Sequence, residues 1–261
     1  MAETIALFGG TGGTGSAFLK LALDAGYQVR ALVRTPSKVS VGSNNEHLLT
    51  VIQGSFDDTD KVEETIKGAD YVVCMGGIPP SYFKAYPTDV MLNFVKKLYG
   101  LFERQTSVPK LFLYQVRCTI DLEKSTFLAH EDPTHIWAFS HPFLLPQSGA
   151  AAAHGDGTSS YTQLFLHRVL FRLLGWYEIV CDNEAVGKYM VEEHKKESSR
   201  TKFPFIVTRP GHLNPGESKY TIKASETEYP FTSVPFIDLA AFTLKALKDE
   251  SLYYTFPFAV R

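Results

Sequence analysis

Between residues 9 and 15 the chain reads Gly9-Gly10-Thr11-Gly12-Gly13-Thr14-Gly15, five glycines in seven positions. So little side chain at one turn leaves backbone amides bare, permits positive φ and lets a bulky anion approach the main chain. The spacing satisfies GxGxxG, from Gly10, Gly12 and Gly15, and the related GxxGxxG, from Gly9, Gly12 and Gly15. Such a turn cradles a diphosphate when a strand leads into it and a helix leaves it, because the helix start supplies partial positive charge. Gly9, Thr11, Gly12, Gly13, Thr14 and Gly15 are the candidate contacts.

A second candidate group stands 19 positions after Gly15, where Arg34 is followed by Lys38. A dinucleotide site that selects NAD places Asp or Glu there for the ribose 2′-hydroxyl, whereas a cation suits the 2′-phosphate of NADP. Arg34 and Lys38 therefore point to NADP(H). The plainer alternative is a solvated arginine closing a strand.

These residues need elements to hold them. Thr4 to Phe8 is an apolar run of strand length, and Phe18, Leu19, Leu21, Ala22 and Ala25 follow at helical spacing. Further strands are expected at 27–33, 48–52, 71–75 and 110–114, with helices at 60–67 and 90–102 between them. Alternating strands and helices imply a parallel sheet with right-handed crossovers. That topology lines up Gly9, Arg34, Ser55, Gly76 and Val116 at the carboxyl ends of successive strands, where a dinucleotide lies. A sixth strand at 203–208, a short edge strand at 219–223, a helix at 235–248 and a last strand at 253–258 complete the expectation. The fold class expected is α/β, a Rossmann-type doubly wound parallel sheet forming one domain over 1–261.

Composition narrows the partners. The chain has 261 residues, 44% hydrophobic, enough for one substantial core. Its 26 Lys and Arg against 28 Asp and Glu carry no basic footprint, which argues against nucleic acid and for a small-molecule substrate. Cys74, Cys118 and Cys181 are widely spaced with no CxxC pair, as in a reducing compartment. With no basic n-region leading into an apolar stretch, a cytoplasmic location is expected.

GGTGGTG at 9–15, ALVRTPSK at 31–38, VIQGSFDD at 51–58 and TRPGHLNPGESKYTIKA at 208–224 resemble the NAD(P)-binding, NmrA-like branch of the atypical short-chain dehydrogenases. The similarity is strongest to biliverdin IXβ/flavin reductases and covers about residues 3–117 and 180–260. The resemblance implies that Arg34 and Lys38 hold the 2′-phosphate and that Ser55 and Phe56 flank adenine. It also implies that Met75, Gly76 and Gly77 line the adenosine ribose side. Many relatives carry Asp in place of Ser55.

Departures from that family bear on activity. The wider superfamily uses Tyr-x-x-x-Lys, the lysine lowering the tyrosine pKa for proton transfer. None of the 13 tyrosines here has a lysine four positions later. In the helix expected at 182–196, Lys188 follows Glu184 at that interval, so a lysine is present and the tyrosine position is glutamate. Hydride transfer from a nicotinamide does not require the pair. Tyr114, Arg117, Lys188, Tyr189 and His212 are the polar groups expected near the nicotinamide, with Arg117 able to steady negative charge. A structural role is equally open for each. Lys188, Tyr189 and Arg117 are the catalytic candidates. The reading that follows is an NADPH-dependent oxidoreductase acting on a flavin, quinone or bilin-like acceptor. The alternative is a catalytically silent NADP(H) sensor or assembly subunit.

Residues 118–176 form a long insertion after the fifth strand. Trp137, Phe139 and Phe143 could cover the nicotinamide as a flap, or the segment could be a surface excursion packed on its own aromatics. His130, His135, His141 and His154 lack metal-ligand spacing, so no metal is expected. The apolar helical pattern at 161–174 is too short and too charged to span a bilayer. It demands cover from the core, from a second subunit in a homodimer, or from a peripheral membrane contact. A monomer and a homodimer both fit.

Overall fold

The computed structural model describes residues 2–77, 89–115, 177–196, 203–211, 213–225 and 233–261. In chain order these give β1 (Thr4–Phe8), α1 (Gly13–Asp24), β2 (Gln28–Val33), β3 (Leu49–Gln53), α2 (Thr59–Ile66), β4 (Tyr71–Cys74), α3 (Val90–Arg104) and β5 (Leu111–Gln115). Then come α4 (Tyr177–Lys195), β6 (Phe205–Pro210), β7 (Leu213–Asn214), β8 (Lys223–Ser225), β9 (Val234–Pro235), α5 (Phe236–Ala246) and β10 (Phe258–Val260).

The main sheet has the order β3-β2-β1-β4-β5-β6-β10-β8, parallel except for β8, which runs antiparallel to β10. This is the doubly wound arrangement, and its direction of winding reverses between β1 and β4. β4, β5 and β6 are buried at every position, as parallel strands must be when helices cover both faces. Side-chain alternation then divides the core. Ala6, Phe8, Val72, Cys74, Phe112, Phe205 and Val207 pack toward α2, α3 and α4. Ile5, Leu7, Val73, Leu113 and Ile206 pack toward α1 and α5.

Two polar ties fix the frame. Asp89, at the start of α3, has φ of 63° and its side chain caps nothing. Asp182 of α4 supplies the cap instead, its two oxygens accepting from the Met91 amide at 2.7 Å and the Leu92 amide at 2.9 Å. Burial raises the Asp182 carboxyl pKa, and the amide bonds pull against that shift. At the opposite edge, Glu3 accepts from Lys110 at 2.9 Å, from Tyr71 at 3.1 Å and from Lys248. Lys110 also pairs with Asp70 at 2.9 Å.

The carboxyl-terminal strands differ from the sequence expectation for local reasons. Residues 253–257 border β6, with the Tyr254 amide on the Phe205 carbonyl at 2.7 Å, yet regular pairing begins only at Phe258. Tyr254 has φ of 63°, and Pro257 has no amide to give to a ladder. The edge strand forms at 223–225 rather than 219–223 because the Lys219 and Tyr220 amides are bound by Asp238, at 3.1 and 2.9 Å. The pairing of β7 with β9 involves two residues on each side, too few for any periodic signal. The insertion 118–176, with its aromatic flap candidates, histidines and apolar helical pattern, lies outside the described residues.

Candidate functional site

The glycine turn joins β1 to α1 at the switch point. Gly9 has φ of +87°, and a Cβ there would fall 2.4 Å from the Gly76 amide nitrogen, so the turn presses directly on the segment after β4. A Cβ on Gly15 would lie 2.1 Å from the Gly9 carbonyl oxygen, which makes the first turn of α1 equally intolerant. Gly12 is different: its Cβ would meet only the Gly9 oxygen, at 3.5 Å, and its φ of −77° suits any residue. Nothing among the described residues demands glycine there. The Gly12 amide closes the turn on Gly9 O at 3.1 Å, and α1 then starts with the Ser16 amide on Gly12 O at 2.8 Å. No side chain caps this helix start and no acidic residue occupies its first turn. The opening amides of a helix have no intrahelical acceptor, so an uncapped end of this kind has the donors and partial positive charge that an anion requires. Thr11, Gly12 and Gly13 are exposed, while Thr14 is buried.

Beyond β2, Arg34 and Lys38 are exposed, and neither makes an ion pair or side-chain hydrogen bond among the described residues. A 3-10 turn over Pro36–Lys38 folds the chain back, with the Lys38 amide on Thr35 O at 3.1 Å. Two cations thus share the mouth of one turn, adjacent in the sheet to the glycine loop.

After β3, Ser55 and Asp58 bracket a tight loop, with the Ser55 amide on Asp58 Oδ2 at 2.6 Å and the Asp57 amide on Ser55 Oγ at 3.2 Å. The Phe56 ring turns inward and stacks on Phe94, centroids 4.1 Å apart. It also abuts Gly76, where a Cβ would lie 2.5 Å from the ring. Met75, Gly76 and Gly77 are half-buried beside it.

On the other side of the switch point, Tyr114 of β5 is buried, and its hydroxyl donates to Asn183 Oδ1 of α4 at 2.6 Å. Its neighbour Gln115 is the cross-strand partner of Thr208 on β6. Both are buried, and Gln115 Oε1 and Thr208 Oγ1 have no hydrogen-bond partner among the described residues. Two orphaned oxygens side by side at the carboxyl edge are a cost that a donor-bearing ligand or water would relieve. Asn183, Gln115 and Thr208 were not legible as site residues in the sequence, because pairing across strands and across a helix is what gives them meaning.

Lys188 projects to solvent from α4. Tyr189 instead sits in the seam between α3 and α4, edge-on to Tyr99 at 5.4 Å and under Lys96 at 5.7 Å. Burial and the nearby Glu193 carboxylate push its phenol well above the usual tyrosine range. It lies seven residues beyond Asp182, about 10 Å along the helix from the level where α3 begins. The structure therefore joins the glycine turn, Arg34, Lys38, Ser55, Met75, Gly76 and Gly77 along one edge, and sets Tyr189 away from it. Val116, Arg117 and His212 lie outside the described residues. Among those residues no helix is long and apolar enough to cross a membrane.

Comparison with known proteins bears on the fold and on the segment that carries the glycine turn. Residues 9–101 match the model of the NAD(P)H-binding family. Over 98% of this chain and 96% of the other, the structure superposes on ChuY, an anaerobillin reductase from Escherichia coli, with a TM-score of 0.59 at 14% identity. It superposes likewise on a short-chain dehydrogenase/reductase from Veillonella parvula, covering 100% and 95% of the two chains, with a TM-score of 0.58 at 12% identity. The oxidoreductase ylbE from Lactococcus lactis gives 0.56 at 14% identity over 99% and 90%. Identities this low speak for the fold, and the family match speaks for the glycine turn and the strands that follow it. Residues 9–101 of this chain are thus similar to the NAD(P)H-binding family and lie within a Rossmann fold.

Proposed function

We propose that the protein is an NADPH-dependent reductase that passes hydride to a small conjugated acceptor of the flavin, quinone or bilin type. One observation carries the cofactor half of this reading: an uncapped helix start at the switch point, over a glycine that packing among the described residues does not require, beside two exposed cations with no ion-pair partner among those residues. The amides of Gly13 and Thr14 would hold the diphosphate, Arg34 and Lys38 the 2′-phosphate, and the loop after β3 the adenine. Thr11 would close over the diphosphate, with Met75, Gly76 and Gly77 along the ribose.

When bound, the nicotinamide supplies the hydride, and the protein contributes orientation and a dry surface. Tyr114, tied to Asn183, keeps β5 and α4 in fixed register beneath the reacting end. Gln115 Oε1 and Thr208 Oγ1 would accept from N–H groups of the carboxamide or of the acceptor. Val116 and Arg117 follow β5 in the sequence, and Arg117 would steady charge developing on the acceptor. Lys188 is the described cation of α4 nearest in sequence to this tie and would approach the ribose. Tyr189, held in the α3–α4 seam, would act through packing. A conjugated acceptor needs no buried proton donor, since water can protonate the reduced product. The fold similarity to an anaerobillin reductase supports the bilin class.

A silent NADP(H) sensor is the second reading, favoured by the missing Tyr-x-x-x-Lys pair and the position of Tyr189. NADPH oxidation followed across a panel of flavins, quinones and bilins separates the two. Turnover of any of them supports the reductase, and tight NADPH binding with no turnover establishes the sensor.

A further inference from the structure

We propose that Lys97 of α3 is a positioning residue for the adenosine half of the cofactor, holding the loop after β3 in its binding shape before any nucleotide arrives. The inference rests on the nucleotide-binding reading above and extends it to an element that reading does not use. Lys97 Nζ donates to the Phe56 carbonyl at 2.8 Å and to the Asp57 carbonyl at 3.0 Å, reaching across from a helix some 40 positions later in the chain. Phe94, one turn earlier on the same face of α3, takes the Phe56 ring in a stack with an interplanar angle of 17°. One helix face therefore grips both the backbone and the side chain of the loop.

The far side of the loop is held independently. Asp58 Oδ2 accepts from the Ser55 amide at 2.6 Å, and the Asp58 amide returns to Ser55 O at 3.2 Å. Gly76 makes room for the Phe56 ring, since any Cβ there would collide with it. With its carbonyls and ring fixed from behind, the loop holds Ser55 half-buried just past the end of β3, the strand beside the one that leads to Arg34. A residue at the end of β2 meets the adenosine ribose, so the end of β3 is the next place along the nucleotide, under the base. A loop that is already ordered loses less conformational freedom on binding, and the affinity gained belongs to the adenosine half alone.

The test uses the whole protein and the two halves of the cofactor as separate calorimetric probes, adenosine 2′,5′-bisphosphate and reduced nicotinamide mononucleotide. Lys97→Met is expected to weaken the bisphosphate about tenfold and to leave the mononucleotide within about twofold. Lys97→Arg, which retains two donors, is expected to recover most of the loss. Unchanged bisphosphate affinity in Lys97→Met overturns the proposal while leaving the nucleotide site standing, as does an equal loss with both probes. Absence of bisphosphate binding by the unsubstituted protein removes the site itself, and this inference with it.

Discussion

The two edges of the sheet are made from opposite materials. At the amino-terminal edge, Glu3, Asp70, Lys110 and Lys248 close on one another around the Tyr71 hydroxyl, and the Thr4 amide is taken by Asp70 at 2.9 Å. Every charge there has an opposite neighbour. Among the described residues of the carboxyl edge, the cations Arg34 and Lys38 have none, the start of α1 is uncapped, and Gln115 and Thr208 keep oxygens without donors. The same parallel strands end in both places. What differs is whether the protein satisfies its own polar groups, and an edge left unsatisfied in so many ways is one whose partners come from outside.

Substitutions can break or sharpen that contrast. Gly15→Ala should have the largest effect, because its Cβ would sit 2.1 Å from the Gly9 oxygen. The turn must open, and NADPH affinity should fall more than about 100-fold, about 3 kcal/mol, with a lowered Tm. Calorimetry beside thermal melts reads both. Arg34→Glu should cost NADPH about 100-fold and NADH little, by loss of charge-assisted bonds to the 2′-phosphate. Its Tm should hold, since the guanidinium makes no side-chain bond or ion pair among the described residues. A Tm drop, or equal loss with both nucleotides, would assign Arg34 to the fold.

Gly12→Ala gives the sharpest division between edge and core. The new methyl meets no protein atom closer than 3.5 Å, so stability should change by under about 1 kcal/mol. The diphosphate must approach that same backbone, and NADPH affinity should fall about tenfold. Unaltered affinity would show that this glycine faces no ligand.

Glu3→Gln should act only on stability, lowering Tm by about 3 °C with nucleotide affinity untouched. Its bonds to Lys248 and Lys110 hold the Glu3 carboxyl down at about 2. A folded-state pKa below the unfolded one contributes stability that is fully present above the ordinary glutamate range and is lost as pH falls through it toward about 2. Thermal melts between pH 5 and about 2 should therefore be less steep for Glu3→Gln than for the unsubstituted protein. Parallel curves would mean that the cluster adds nothing to acid stability.

The amino-terminal half was legible because its signals are local. β1 is found at the expected residues 4–8, and β2, β3, β4 and β5 each lie within one residue of expectation at either end. Apolar runs of strand length separated by glycine, aspartate or helical spacing leave few alternatives. The candidate site divides in the same way. The glycine turn, Arg34 and Lys38 could be found by spacing from one strand, while the Asp182 cap on α3, the Tyr114–Asn183 bond and the Lys97 clamp join residues between 40 and 91 positions apart. No periodicity records such a meeting. The carboxyl-terminal strands were misplaced because Tyr254 and Asp238 redirect the backbone through conformation and hydrogen bonding rather than through hydrophobic pattern.

Sequence by itself determined the parallel alternating architecture, the glycine turn and the cation that follows β2, since each depends on residue types at fixed short intervals. Only the tertiary structure decided which glycines serve packing and which face outward, that Tyr189 belongs to a helix seam, and that Gln115 and Thr208 stand together without donors among the described residues. Those are consequences of distance between chain-remote atoms, and distance is set only when the sheet and its helices close on one another.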